Sequence, residues 1–123
     1  IFNGELIARN KVANFYSEKL SRYLVVPHIE NDNISAWAQY SLLAKNEIER
    51  DSLIKYLNDR GIPTAIYYKK IFSELEIYDK LNNIDYGNSK DVSKRIFSIP
   101  MHPYLKQKEL EIITNSLIGF FNK

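Results

Sequence analysis

Apolar residues recur near helical spacing at Leu6, Ala13, Tyr16, Leu20 and Leu24 within GELIARNKVANFYSEKLSRYL, predicting an opening helix with one apolar stripe. After Pro27 the chain turns polar, and Glu30 to Asn33 read as a loop. From Ser35 to Ala44 the pattern changes to alternation. Ala36, Ala38, Tyr40 and Leu42 fall on one face and Trp37, Gln39 and Ser41 on the other, which predicts a strand. Asn46 followed three residues later by Glu49 is close to a capping box, and Ile48, Leu53, Ile54 and Leu57 then share a helical face. Gly61 stops that helix, Gly-Ile-Pro makes a bend, and Thr64 to Tyr68 is β-rich enough for a second strand. Residues 69–83 are ambiguous, with room for a short helix, and Asn88 or Ser89 is expected to cap another running through Val92 and Ile96. Ser98 to Met101 is a third strand, and Leu110, Ile113, Leu117 and Phe120 mark a last amphipathic helix. Three short strands with helices against them predict a small α+β layer structure.

Composition narrows the class. With 123 residues, 45% of them apolar, the chain has the length of one ordinary domain and can bury its own core. Cysteine is absent, which excludes disulfides and thiolate metal sites and points to the cytoplasm. No apolar run approaches the roughly 18 residues of a membrane helix. Formal charge is only +2, from 17 basic and 15 acidic residues, and the basic ones are scattered, so nucleic acid is not indicated. The sequence opens at Ile1 and its one methionine is Met101, so it is expected to be a piece of a longer protein. The sequon Asn33-Ile34-Ser35 is read as accidental.

The residues supply no self-sufficient catalytic constellation. Gly4, Gly61, Gly87 and Gly119 stand apart, so no glycine-rich phosphate cradle is present. His28 and His102 are distant, with no second histidine or acid at ligand spacing, so no metal is expected. No serine lies in a nucleophile elbow. Glu47, Glu49 and Asp51 sit at a helix start, where negative charge favours the helix dipole. His102, between Pro100 and Pro103, is expected to be held by packing and one hydrogen bond. Trp37 and Gln39 are expected to pack and to satisfy a neighbouring helix.

Taken together, SAWAQYSLLAKN, LIKYLNDRGIPTAIYY and SIPMHPYL resemble the C-terminal small domain of the DegT/DnrJ/EryC1/StrS sugar aminotransferases, in order and over nearly the whole chain. The resemblance implies that residues 1–123 are one such domain, a small antiparallel three-stranded sheet covered by helices as in fold-type-I aminotransferases. It implies a parent enzyme that uses pyridoxal 5'-phosphate to move an amino group from glutamate to a nucleotide-linked keto-sugar, for surface polysaccharide. It further implies a homodimer and a separate N-terminal domain carrying the cofactor lysine. None of the lysines here has that lysine's setting, so the chain alone is expected to be inactive and to bind no cofactor. A standalone α+β interaction module is the alternative.

The family's His-Tyr-Pro run, whose His and Tyr point toward the sugar cleft, corresponds to Tyr67, Tyr68 and Lys69. Tyr68 keeps the family tyrosine, Tyr67 replaces the histidine, and Lys69 replaces the proline. These three are the candidate substrate-binding residues; no catalytic residue is assigned. Lys69 and Lys70 offer positive charge for an anionic nucleotide sugar. Lys106 stands where relatives place a Ser or Thr cap, so the last helix is expected to fray at its start.

Overall fold

The computed structural model describes residues 2–71, 74–75 and 86–123. Among them are four helices and a two-stranded antiparallel sheet. Helix α1 (Phe2–Leu20) buries Val12, Ala13, Tyr16 and Leu20, the stripe that the 3.6-residue period requires. It ends four residues earlier than the sequence suggests. Leu24 is still buried, because the amides of Tyr23 and Leu24 fold back onto the Leu20 carbonyl.

Strand β1 (Tyr40–Leu43) has four residues where the alternation predicts ten. Trp37 explains the shortening. Its φ of 49° is left-handed, which breaks the pleat and turns its indole into the core, while Ala36 and Ala38 are exposed. Helix α2 (Glu47–Asn58) starts as expected. Asn46 Oδ1 accepts from the Glu49 amide at 2.9 Å, and the Glu49 carboxylate accepts from the Lys45 amide at 2.9 Å. Its buried face is Arg50, Leu53 and Leu57; Ile48, expected there, is 79% exposed. Gly61, at φ 74°, ends the turn that brings the Ile62 amide back to the Leu57 carbonyl.

Helix α3 (Gly87–Arg95) is capped by Tyr86 with no side-chain bond, not by Asn88 or Ser89. It runs directly into β2 (Ile96–Ile99), two residues ahead of the expected strand, and Pro100, which has no amide hydrogen, ends the pairing. Register is Tyr40 with Ile99, Ser41 with Ser98, Leu42 with Phe97 and Leu43 with Ile96. Single bridges extend the sheet on both sides, Val25 with Leu43 and Ala65 with Ser98. The second strand expected at Thr64 to Tyr68 is therefore reduced to the one pair at Ala65, since beyond it the chain leaves the ladder, and the sheet has two strands where three were expected. The helix expected within residues 69–83 lies largely outside the described residues.

Helix α4 (Gln107–Phe121) buries Leu110, Ile113, Thr114 and Leu117 and packs on α1 and α2. Its start is held although Lys106 has no side-chain acceptor: the Glu109 carboxylate accepts from the Lys106 amide at 2.7 Å. Tyr40, Leu42, Phe97 and Ile99 form the sheet's inner face and meet α1, α2 and α4 in one core. Fully enclosed leucines such as Leu42, Leu53 and Leu117 each contribute about 1.5–3 kcal/mol by leaving water. The other face carries the Ser41–Ser98 and Leu43–Ile96 pairs, with Ala65 bridged to Ser98 at its edge.

Candidate functional site

Two reciprocal bonds fix the segment that carries the candidate residues. The Ala65 amide donates to the Ser98 carbonyl at 3.0 Å, and the Ser98 amide donates to the Ala65 carbonyl at 2.8 Å. Two residues beyond this anchor, Tyr67 is 57% and Tyr68 74% exposed. A phenol that exposes most of its ring next to a pinned backbone is presented outward, not packed. Lys69 and Lys70 follow at the surface. The hydroxyls of Tyr67 and Tyr68 and the ammonium of Lys69 have no partner among the described residues. The three predicted residues thus stand consecutively on one exposed edge.

Tyr67 also borders a cleft of about 180 Å³ on the outer sheet side, with Gln39, Thr64, Ala65, Ser98 and Met101 among its lining residues. It opens where residues 38–39 and 63–67 diverge around the end of β2. Two of its lining residues are tied to neighbours: Ser98 Oγ lies 2.8 Å from Ser41 Oγ across the strands, and the Pro100 carbonyl accepts from the Tyr16 hydroxyl at 2.7 Å. Residues 66–71 also line, together with Asn88, Val92 and Ile96, a second concavity that shares Tyr67 with the first. Gln39 is the residue that sequence reasoning placed in a packing role and the structure places in the cleft. Its position opposite Tyr40 in the alternation was the available signal.

Other sequence candidates fall elsewhere. His102 is exposed, and its imidazole has no hydrogen-bond partner among the described residues, so the prolines fix its backbone while the ring stands in solvent. Among the described residues His28 pairs with Glu30, 3.5 Å away, both largely exposed. Trp37 does pack and satisfy a neighbouring helix, through Asn10 of α1 and a stacked contact on Tyr40 at 5.7 Å. No group of three or more His, Asp or Glu is arranged to hold a metal among the described residues. Burial pushes the Tyr16 and Tyr40 phenols above their ordinary value, so both stay neutral.

The described residues do not by themselves fit pyridoxal phosphate. A Schiff-base lysine needs an enclosed, desolvated amine, and every described lysine is exposed. A phosphate cradle needs clustered backbone amides after glycines, and neither cavity is lined by a glycine.

Residues 3–118 match the model of the DegT/DnrJ/EryC1/StrS aminotransferase family. The chain is 33% identical over 119 residues to a UDP-2-acetamido-2-deoxy-3-oxo-D-glucuronate aminotransferase of Pseudomonas aeruginosa, covering 95% of this chain and 32% of that protein. The crystal structure of a DegT DnrJ EryC1 StrS aminotransferase from Brucella abortus is 38% identical with a TM-score of 0.86, covering 97% of this chain and 32% of that one. The fold is also that of NtdA from Bacillus subtilis, solved with bound cofactor PMP, at 17% identity and a TM-score of 0.84, over 97% of this chain and 29% of that one. The chain spans about a third of the length of the proteins it matches.

Proposed function

This chain belongs to the DegT/DnrJ/EryC1/StrS aminotransferase family, and on that premise we propose that residues 1–123 are the C-terminal small domain of a pyridoxal-phosphate-dependent nucleotide-sugar aminotransferase. The enzyme takes its amino group from glutamate and works as a cytoplasmic homodimer in surface-glycan synthesis. Its cofactor, which supplies the electron sink for amino transfer, is held by the rest of the protein; this domain binds none and is inactive alone. The Pseudomonas relative's name gives a nucleotide sugar bearing acetamido and uronate groups, and this chain's substrate is of that nucleotide-sugar class.

The domain's part is to close the cleft and hold the substrate. Tyr68 donates its phenol to a sugar or phosphate oxygen, Tyr67 takes the place of the family histidine beside it, and Lys69 attracts the diphosphate. The observation that carries the reading is the pair of exposed tyrosines beside the bridge between Ala65 and Ser98, followed by Lys69, none of them with a side-chain partner among the described residues. Water exclusion falls to the apolar walls around them, Ile66 and Ile71 included.

The test is amino transfer by the full-length protein. Loaded with cofactor, it is expected to convert glutamate to 2-oxoglutarate only when a nucleotide-linked keto-sugar is supplied. Equal turnover with simple keto acids and no response to the nucleotide sugar would overturn the reading.

A further inference from the structure

The cleft beside Tyr67 is chemically unlike the cationic strip that follows it, and the difference indicates which part of a substrate each holds. Its ten lining residues carry no charged side chain, whereas Lys69 and Lys70 lie outside it. At about 180 Å³ it is smaller than the roughly 300–1,000 Å³ of pockets that enclose whole ligands, so it suits a single substituent. A carboxylate or phosphate there would be desolvated without a counter-charge, which is unfavourable.

The polar groups that remain available are specific. The Ser98 hydroxyl is occupied by Ser41, and the Thr64 hydroxyl donates to Asn58 at 3.3 Å. The carboxamide of Gln39, half-buried, and the phenol of Tyr67 have no partner among the described residues. A carboxamide offers one acceptor and two donors in a single plane, the complement of another amide. Ala38 and Met101 add apolar wall beside it, suited to a methyl group.

Resting on the nucleotide-sugar reading above, we propose that this cleft is the subsite for an N-acyl amino substituent of the sugar, with the Gln39 carboxamide pairing with the substituent's amide and Tyr67 closing the rim. Gln39 is then a specificity-determining residue. It discriminates an acetamido sugar from its hydroxyl counterpart by two directed hydrogen bonds that the hydroxyl cannot both replace.

The test uses the full-length protein and calorimetric binding of three probes: UDP-N-acetylglucosamine, UDP-glucose and UDP-glucuronate. The first is expected to bind about tenfold or more tighter than the second, as about 1.4 kcal/mol from two hydrogen bonds implies. Gln39→Leu, and Gln39→Asn, which withdraws the amide by one methylene, are each expected to reduce that ratio to within about twofold. Thermal unfolding of both variants near the parent's confirms folding. A ratio near one in the parent, or a ratio that persists in both variants, overturns the subsite. UDP-glucuronate binding best would make the cleft an anion site and also overturn it. An acetamido preference that Gln39→Leu removes, in a protein that transfers no amino group from glutamate, would leave the subsite standing and sink the reaction proposed above. Failure of all three probes to bind would overturn the subsite, while glutamate-dependent transfer to a nucleotide-linked keto-sugar separately decides the reaction.

Discussion

The indole Nε1 of Trp37 donates to Oδ1 of Asn10 at 2.9 Å, tying the one tryptophan to α1 across 27 residues of sequence. Trp37 is 8% exposed, so its donor has little access to solvent. Asn10→Leu is expected to cost about 1–3 kcal/mol, the penalty for an orphaned buried donor. Urea unfolding followed by tryptophan fluorescence reads both the loss and any exposure of the indole, since no second tryptophan contributes signal.

Tyr16 and Pro100 make the corresponding link from α1 to the end of β2. Tyr16→Phe leaves the Pro100 carbonyl without its donor and is expected to cost about 1–3 kcal/mol in denaturant unfolding. The buried phenols also set an alkaline limit. Unfolded tyrosine ionises near pH 10, while burial raises the folded value of Tyr16 and Tyr40, so folding retains protons that the unfolded chain releases. Stability contributed by these groups is complete below about pH 10 and falls as pH rises beyond it. Midpoints measured from pH 8 to 11 should show that decline, with a shallower slope in Tyr16→Phe.

Arg50 joins α2 to α3. Its guanidinium donates to the Ser93 carbonyl at 3.0 Å and to Asp51 at 2.9 Å, with only 9% of the side chain exposed. Asp51 and Glu47 are more than half exposed, so the carboxylate contacts add little and the carbonyl bond and buried stem matter most. Arg50→Ala is expected to cost about 1–3 kcal/mol. Hydrogen exchange should show α3 losing protection before α1, and Arg50→Lys should recover less than half of the loss, because an ammonium lacks the planar fork.

Gly61 sits at φ 74° with no atom within 4 Å of the place a Cβ would occupy. Gly61→Ala is therefore penalised for conformation alone, by about 1–2 kcal/mol. A chemical-denaturation midpoint checks it. A neutral result would mean that the turn relaxes without cost.

Tyr68 is the residue whose hydroxyl the proposed reaction uses directly. In the full-length protein Tyr68→Phe is expected to raise KM for the nucleotide sugar about 2- to 12-fold, equivalent to 0.5–1.5 kcal/mol, with a smaller change in kcat. Steady-state kinetics against varied nucleotide sugar decides it. An unchanged KM would remove Tyr68 from the site. Tyr67→His, which introduces the histidine that the family resemblance implies there, is expected to change substrate preference on the same assay.

Local chemistry made much of this fold legible in the sequence. The period of Tyr16 and Leu20 marked α1's buried side, Asn46 and Glu49 marked the start of α2, and Leu110, Ile113 and Leu117 marked the face of α4. Each depends on residues within one or two turns of one another. Trp37, Ile48 and the Thr64 to Tyr68 segment were less legible, for a shared reason. A left-handed residue is invisible to an alternation count, a helical face has to choose among apolar residues at its margin, and a strand exists only if its whole length finds a partner. Ile48 lost its place to Arg50, whose partner lies on another helix.

What the sequence determined by itself was the buried faces of α1 and α4, the start of α2 and the motifs that carry the family resemblance, because those follow from spacing and from side chains bonding to nearby backbone. The tertiary structure decided how far the sheet extends, which aromatic enters the core, and that Gln39 and Tyr67, 28 positions apart, line one cleft. Those outcomes depend on which distant segments meet, and the backbone bonds between Ala65 and Ser98 exist only once the intervening chain has folded back across β2.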